Sequence, residues 1–184
     1  LYDGNAAAIT TNGDLYCWGS EWYGQAGNGS LVGDQSTPVK VLENVKNVTL
    51  GEDHSAAITK NDDLYCWGRN QYGQVGNGNT EDQSTPVKVL ENVESVSLED
   101  DCTAAITKNG DLYCWGSNES GKVGNGSTEN QSTPVKILEN VDSFSGFICN
   151  AAITKNGDLY CWGGSNDYGQ VGNGSTEVQR TPLK

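Results

Sequence analysis

One histidine, six cysteines and 24 carboxylates are the side chains in this chain that could do chemistry. His54, Cys102 and Cys149 fall at corresponding points of a repeated pattern, with Asn5 at the fourth, so a shared His–Cys metal site is the sharpest chemical reading. Zinc takes three or four ligands at tetrahedral reach, usually from closely spaced pairs. No Cys-x-x-Cys is present, and a loop or capping role for these residues is the preferred reading. A single histidine cannot supply a repeated Ser/His/Asp constellation. The acidic run Glu99-Asp100-Asp101 lacks the Asp-x-Asp-x-Asp-Gly spacing that wraps one calcium ion. No catalytic residue, no metal and no cofactor is expected.

The cysteines themselves read as packing residues. Cys17, Cys66, Cys114 and Cys161 occupy one place in successive repeats. Equivalent points on stacked sheets lie about 10 Å apart, beyond the roughly 7 Å that a disulfide spans between Cα atoms. If the Asn109-Gly110 turn sets Ala105 opposite Cys114, Cys102 lies three residues further on and is also out of reach. Most are therefore expected to be small buried hydrophobes. A Cys102–Cys149 bridge between adjacent units is the alternative.

The elements that must position these groups come from an internal repeat. Asp-Leu-Tyr-Cys-Trp-Gly occurs at 14–19, 63–68, 111–116 and 158–163, with its tryptophans 49, 48 and 47 residues apart. Such periods mark solenoids, propellers or arrays. Each unit runs in the same order, giving repeats of approximately 1–45, 46–93, 94–141 and 142–184. A Val-x-Leu strand and a variable patch precede Ala-Ala-Ile-Thr. An Asn-Gly turn then leads into the hexapeptide, which alternates apolar residues on both faces and so reads as a strand buried between stacked sheets. Asn-Gly between apolar runs signals a two-residue hairpin with positive φ at both positions. A Gly-rich loop and Thr-Pro-Val-Lys close the unit, with proline at an edge strand. The loop spine Gly-Gln-x-Gly-Asn-Gly superficially resembles a phosphate cradle, but proline rather than a helix follows it, and a structural role is expected. The fold class is all-β: a β-propeller of four-stranded antiparallel blades. The first repeat lacks its opening strand.

The motif string resembles the regulator of chromosome condensation repeat family over essentially the whole chain. The pieces that carry it are Gly51–Thr59, Asp63–Gly68, Tyr72–Gly78 and Pro86-Val-Lys-Val. The resemblance implies a propeller, commonly of seven blades, where this chain supplies four. A slice of a longer propeller, a ring paired from two chains and a closed four-blade ring are all open, the first two preferred. The family includes a nuclear exchange factor, a plant ultraviolet-B photoreceptor and a secreted β-lactamase inhibitor. The tryptophan patches that light sensing would require are absent here, and exchange-factor residues cannot be carried over. Protein binding through a propeller face is the common denominator.

Which face follows from the meander. The one–two patches and three–four loops leave on one side, while the two–three turns and Leu-Glu-Asn-Val links leave on the other. The first side differs between repeats and the second hardly does. The variable side carries 14 acidic against three basic residues, −11 of the chain's net −13. A protein partner with a basic surface is expected to touch Asp3, Trp22, Glu52, Asp53, His54, Arg69, Glu99, Asp100, Asp101, Glu119, Phe147 and Asp167. The acidic balance argues against nucleic acid. No apolar run approaches the roughly 18 residues of a membrane span. Without initiator Met or signal peptide the sequence reads as a processed or excised piece. Its acidic pI, lack of Met and many Asn, Thr and Ser point to an extracellular or cell-surface setting. Two alternatives stand beside protein binding. One is a carbohydrate-binding propeller using Trp22, Tyr23, Tyr72 and Tyr168; the other is a structural segment of a larger secreted or surface protein. Self-pairing to complete a ring is a further expectation.

Overall fold

The computed structural model describes residues 4–146 and 149–184. Fourteen strands form four antiparallel sheets, and none of the described residues is helical. The first sheet holds β1 (Asn5–Ile9), β2 (Leu15–Gly19) and β3 (Gln35–Leu42). The second holds β4 (Val45–Leu50), β5 (His54–Thr59), β6 (Leu64–Gly68) and β7 (Gln83–Leu90). The third holds β8 (Val93–Leu98), β9 (Cys102–Thr107), β10 (Leu112–Gly116) and β11 (Gln131–Leu138). The fourth holds β12 (Val141–Gly146), β13 (Asn150–Thr154) and β14 (Leu159–Trp162). Its outer strand is reduced to a bridge between Cys161 and Leu183. Strands pair in chain order within each sheet, so every blade is a meander.

The expected two-residue turn is corrected. Three residues span each hairpin: Thr107 N–H donates to Asp111 O and Gly110 N–H to Thr107 O. Only the last of the three is left-handed (Gly13, φ 95°; Asp62, 66°; Gly110, 86°; Gly157, 84°), a type I turn followed by a left-handed residue. Cys114 consequently faces Ala104, one place from the expected Ala105. Between Val87 and Gln83, three residues of β7, including Pro86, oppose the single Trp67 of β6, and this bulge absorbs the missing proline donor.

The cores lie between sheets. Leu15, Cys17 and Ala26 of the first pack on Val45, Ala57 and Trp67 of the second. Leu64, Cys66 and Val75 meet Val93, Ala105 and Trp115, and Leu112, Cys114 and Val123 meet Val141, Ala152 and Trp162. The hexapeptide therefore turns Leu and Cys toward the following blade and Trp toward the preceding one. Trp67, Trp115 and Trp162 are fully buried, whereas Trp18, with no blade before it among the described residues, is half-buried. All six cysteines are free thiols; those in the cores are held protonated by burial, Cys17 up to about 12. The backbone joins the blades as well: Val93 N–H donates to Asp62 O at 2.8 Å, and Lys108 N–H to Asn92 O at 2.9 Å. Asn44, Asn92 and Asn140 adopt left-handed angles to make this seam (φ 60°, 60° and 59°).

Candidate interaction face

The Gly-rich loops are sockets. Gly76 is left-handed (φ +86°), and a Cβ on it would lie 2.5 Å from the Trp115 indole nitrogen. A side chain there would evict the next blade's tryptophan. The carbonyl two residues earlier accepts that indole: Trp67 Nε1 donates to Gln25 O (2.9 Å), Trp115 Nε1 to Gln74 O (2.9 Å) and Trp162 Nε1 to Lys122 O (3.1 Å). The same oxygen accepts a second bond from the strand beside the indole, from Ser55 Oγ, Thr103 Oγ1 and Asn150 Nδ2 respectively. The spine amides serve the fold: those of Gly27, Gly76 and Gly124 bond within their own loops, and those of Gly29, Gly78 and Gly126 bond Ser84 O, Ser132 O and Arg180 O of the next blade.

A buried asparagine closes the second, third and fourth of these loops. Asn70 Nδ2 donates to Asn79 O and Glu81 O while its Oδ1 accepts Val75 N–H at 2.9 Å. Asn118 and Asn166 repeat the arrangement. All three are completely buried. Sequence reasoning missed them, although each follows its hexapeptide tryptophan by three or four residues.

The patches and loops do emerge together. Arg69 N–H donates to Asp53 O and Ser117 N–H to Asp101 O, both at 2.9 Å. Arg69 is the hub where three blades meet. Its guanidinium bonds Asp53 at 2.8 Å, lies 3.4 Å from Asp101, and sits between the rings of Tyr23 (5.3 Å) and Tyr72 (5.7 Å). These tyrosines are thereby engaged within the protein, and of the four aromatics weighed for sugar stacking only Trp22 and Tyr168 stand exposed. Burial raises the carboxyls of Glu99 and Asp101, opposed for Asp101 by Arg69 and for both by Lys122, while Asp100 adds to the rise.

The expected contact residues sort by exposure. Glu52, Asp100, Glu119 and Asp167 are exposed, and Trp22 strongly so at 74%. Asp53, Arg69, Glu99 and Asp101 are half-buried and partly tied to one another. His54 is a correction. It is fully buried, its Nε2 lies 3.0 Å from Thr103 Oγ1, and burial and then the Arg69 charge lower its pKa to about 4. It is a neutral interblade residue, not a surface contact. Asp3 and Phe147 lie outside the described residues. Among the described residues no three of His, Cys, Asp or Glu converge on a metal position.

The opposite side is charge-paired. Lys40 bridges Asp14 and Glu43, Lys88 bridges Asp63 and Glu91, Lys136 bridges Asp111 and Glu139, and Lys184 meets Asp158. Asp62, left-handed in its turn, takes both Lys46 and Lys108. On the loop side, among the described residues, Arg69 makes the only ion pairs.

Models of the regulator of chromosome condensation (RCC1) repeat match residues 12–58, 61–106, 109–151 and 156–184, and a second model of that repeat matches 45–74 and 95–122. No curated protein sequence matches the chain. Among solved structures, human WBSCR16 superposes with a TM-score of 0.79 at 24% identity, covering 98% of this chain and 49% of that one. Prp20p from Saccharomyces cerevisiae superposes at 0.80 and 24% identity, covering 98% and 48%. Yeast Prp20 in its complex with Kap60 gives 0.80 at 22%, covering 98% and 47%. The chain spans about half the length of each. At these identities the likeness is one of fold: a propeller arc of four blades.

Proposed function

The chain belongs to the regulator of chromosome condensation repeat family, and from that premise we propose that it is a protein-interaction module, without enzymatic activity of its own, that binds a partner with a basic surface through its loop face. The observation that carries this reading is the unequal pairing of charge. The turn face neutralises its acids with lysines from the outer strands, while Glu52, Asp100, Glu119 and Asp167 of the loop face have no cationic partner among the described residues. An uncompensated field of one sign raises encounter rates with an oppositely charged surface. Prp20p, of the same fold, is described with binding to Gsp1p and histones and is found bound to Kap60, which supports a protein partner. We place the module outside the cell or on its surface, on its acidic, Asn/Ser/Thr-rich composition and lack of Met.

The immobilised chain, challenged with folded proteins of matched size and graded net charge, tests this. Association faster for the basic members, and slowed when Glu99, Asp100 and Asp101 are changed together to Gln, Asn and Asn, is the expected result. Indifference to the charge of the probe overturns it.

A second copy of the chain is a further partner on this reading. Gly172 repeats the socket of Gly27, Gly76 and Gly124, yet nothing described lies within 4 Å of a Cβ built on it, and among the described residues Trp18 is the one hexapeptide indole without a socket. Trp18 of one copy on Gly172 of another would extend the same contact. Sedimentation should show concentration-dependent association that Gly172→Val abolishes; a monomer at all concentrations contradicts self-pairing.

A further inference from the structure

Glu21, three residues after Trp18, occupies the place in the first socket loop that Asn70, Asn118 and Asn166 occupy in the others. It is 1% exposed, and neither carboxylate oxygen has a hydrogen-bond partner. An amide in that place both donates to loop carbonyls and accepts the N–H of the residue five positions on. A protonated carboxyl offers one donor and an acceptor, and can do the same with one bond fewer. An ionised carboxylate is an acceptor only, and cannot bond carbonyls. We propose that the first socket loop is a proton-operated latch: with Glu21 protonated it closes as its sister loops do, and with Glu21 ionised it opens and loosens the segment that carries the already exposed Trp22, Leu31 and Val32.

The surroundings support a neutral carboxyl when the loop is closed. Burial raises Glu21 to about 7, opposed by the approach of the Ala26 amide. Cys17 of β2 lies close enough for the Glu21 charge to push its thiol further up, and is itself neutral. Asp34, on the far limb of the loop, is exposed. From the second blade Ser55, Trp67, Ser84 and Arg69 meet this loop, and the one ionisable group of these, Arg69, is engaged with Asp53, Asp101 and the neighbouring Tyr23. No basic side chain pairs with Glu21 among the described residues. Leu31 and Val32 are 46% and 81% exposed, on the loop that also carries Trp22. The latch stands on the socket geometry alone, so it holds or fails independently of the partner proposed above.

Hydrogen exchange of residues 21–34, compared with the sister loop 70–82 in the same molecule, tests it between pH 5.5 and 8.5. Taking that ratio removes the intrinsic pH dependence of exchange. Between pH 5.5 and about 7, where the closed loop keeps Glu21 protonated and the open loop does not, the first loop should lose protection about tenfold per pH unit, and the ratio should level off above 7. Glu21→Asn, which installs the sister residue, and Glu21→Gln should both flatten the whole profile. A carbon-13 titration of the Glu21 carboxyl supplies a readout that needs no variant, with an expected midpoint near 7. A flat wild-type ratio, a profile unchanged in Glu21→Asn, or a midpoint near the ordinary 4.5 would each overturn the proposal.

Discussion

The turn side and the loop side of this arc are built from the same four repeats under opposite constraints. On the turn side every blade meets its neighbour through one backbone seam: the turn carbonyl to Val45, Val93 or Val141, and the Asn44, Asn92 or Asn140 carbonyl to the next turn. One geometry is demanded, so one sequence recurs, and the lysines and aspartates there pair off. On the loop side only the socket is demanded: a glycine, a carbonyl and, in three of the four loops, a buried amide. The residues that lead into and out of it are free to vary, and they carry unpaired acids and Trp22. The difference teaches that repetition here marks blade contacts, while variation marks surface released from them.

The largest effect should come from breaking a socket. Trp115→Ala removes a fully buried indole and its bond to Gln74 O, and should cost roughly 3–5 kcal/mol in denaturant unfolding. Trp18→Ala, at the same repeat position without a socket, should cost clearly less. Equal costs would mean that the sockets do not hold the blades.

Approached from the glycine side, Gly76→Ala should lose about 1–3 kcal/mol by overpacking against Trp115, plus backbone strain. Gly172→Ala should show the strain alone. Their difference measures the contact. Asn118→Ala should cost about 1–3 kcal/mol, because it strands the Val123 amide and two loop carbonyls that the side chain satisfied.

His54 gives a pH signature for the interblade core. Its folded pKa, about 4, lies below the ordinary 6.5, so the unfolded chain binds the proton more readily. Its contribution is complete above 6.5 and is lost as pH falls toward 4. Thermal melts of His54→Asn, which installs the first blade's residue, should show a shallower acid decline over that window than wild type. An unchanged slope would place the histidine in water. The smallest effect belongs to the turn face. Lys88→Ala breaks pairs to Asp63 and Glu91 that are substantially solvent-exposed, and should cost no more than about 1 kcal/mol.

The repeats and strands were legible in the sequence because the hexapeptide, the alternating apolar residues and the turn glycines each obey a local rule. What was hidden depends on contacts between repeats. The Gly-rich spine could be recognised as structural, but that Gly76 is shaped by Trp115, 39 positions away in the chain, cannot be read from either residue alone. The Asn-Gly pair indicated a hairpin but not its length, which the left-handed glycine third in the turn decides. Polarity and a place in segments that differ between repeats put His54, and Glu21 as one of the 14 acids, on the variable face. Burial overrules both, and the clue for Glu21 was its alignment with Asn70 and Asn118.

The central claim is that the loop face, and not the turn face, steers a basic partner. Two charge variants of equal size test it against one basic probe: Glu99→Gln/Asp100→Asn/Asp101→Asn on the loop face, and Glu43→Gln/Glu91→Gln/Glu139→Gln on the turn face. Association rate constants would be measured at about 50 and 300 mM salt, across which the screening length shortens from beyond 10 Å to below 8 Å. The account predicts that the loop-face variant associates several-fold more slowly at low salt and converges with wild type at high salt, while the turn-face variant tracks wild type throughout. Equal slowing by both variants, or slowing by the turn-face variant alone, would contradict it.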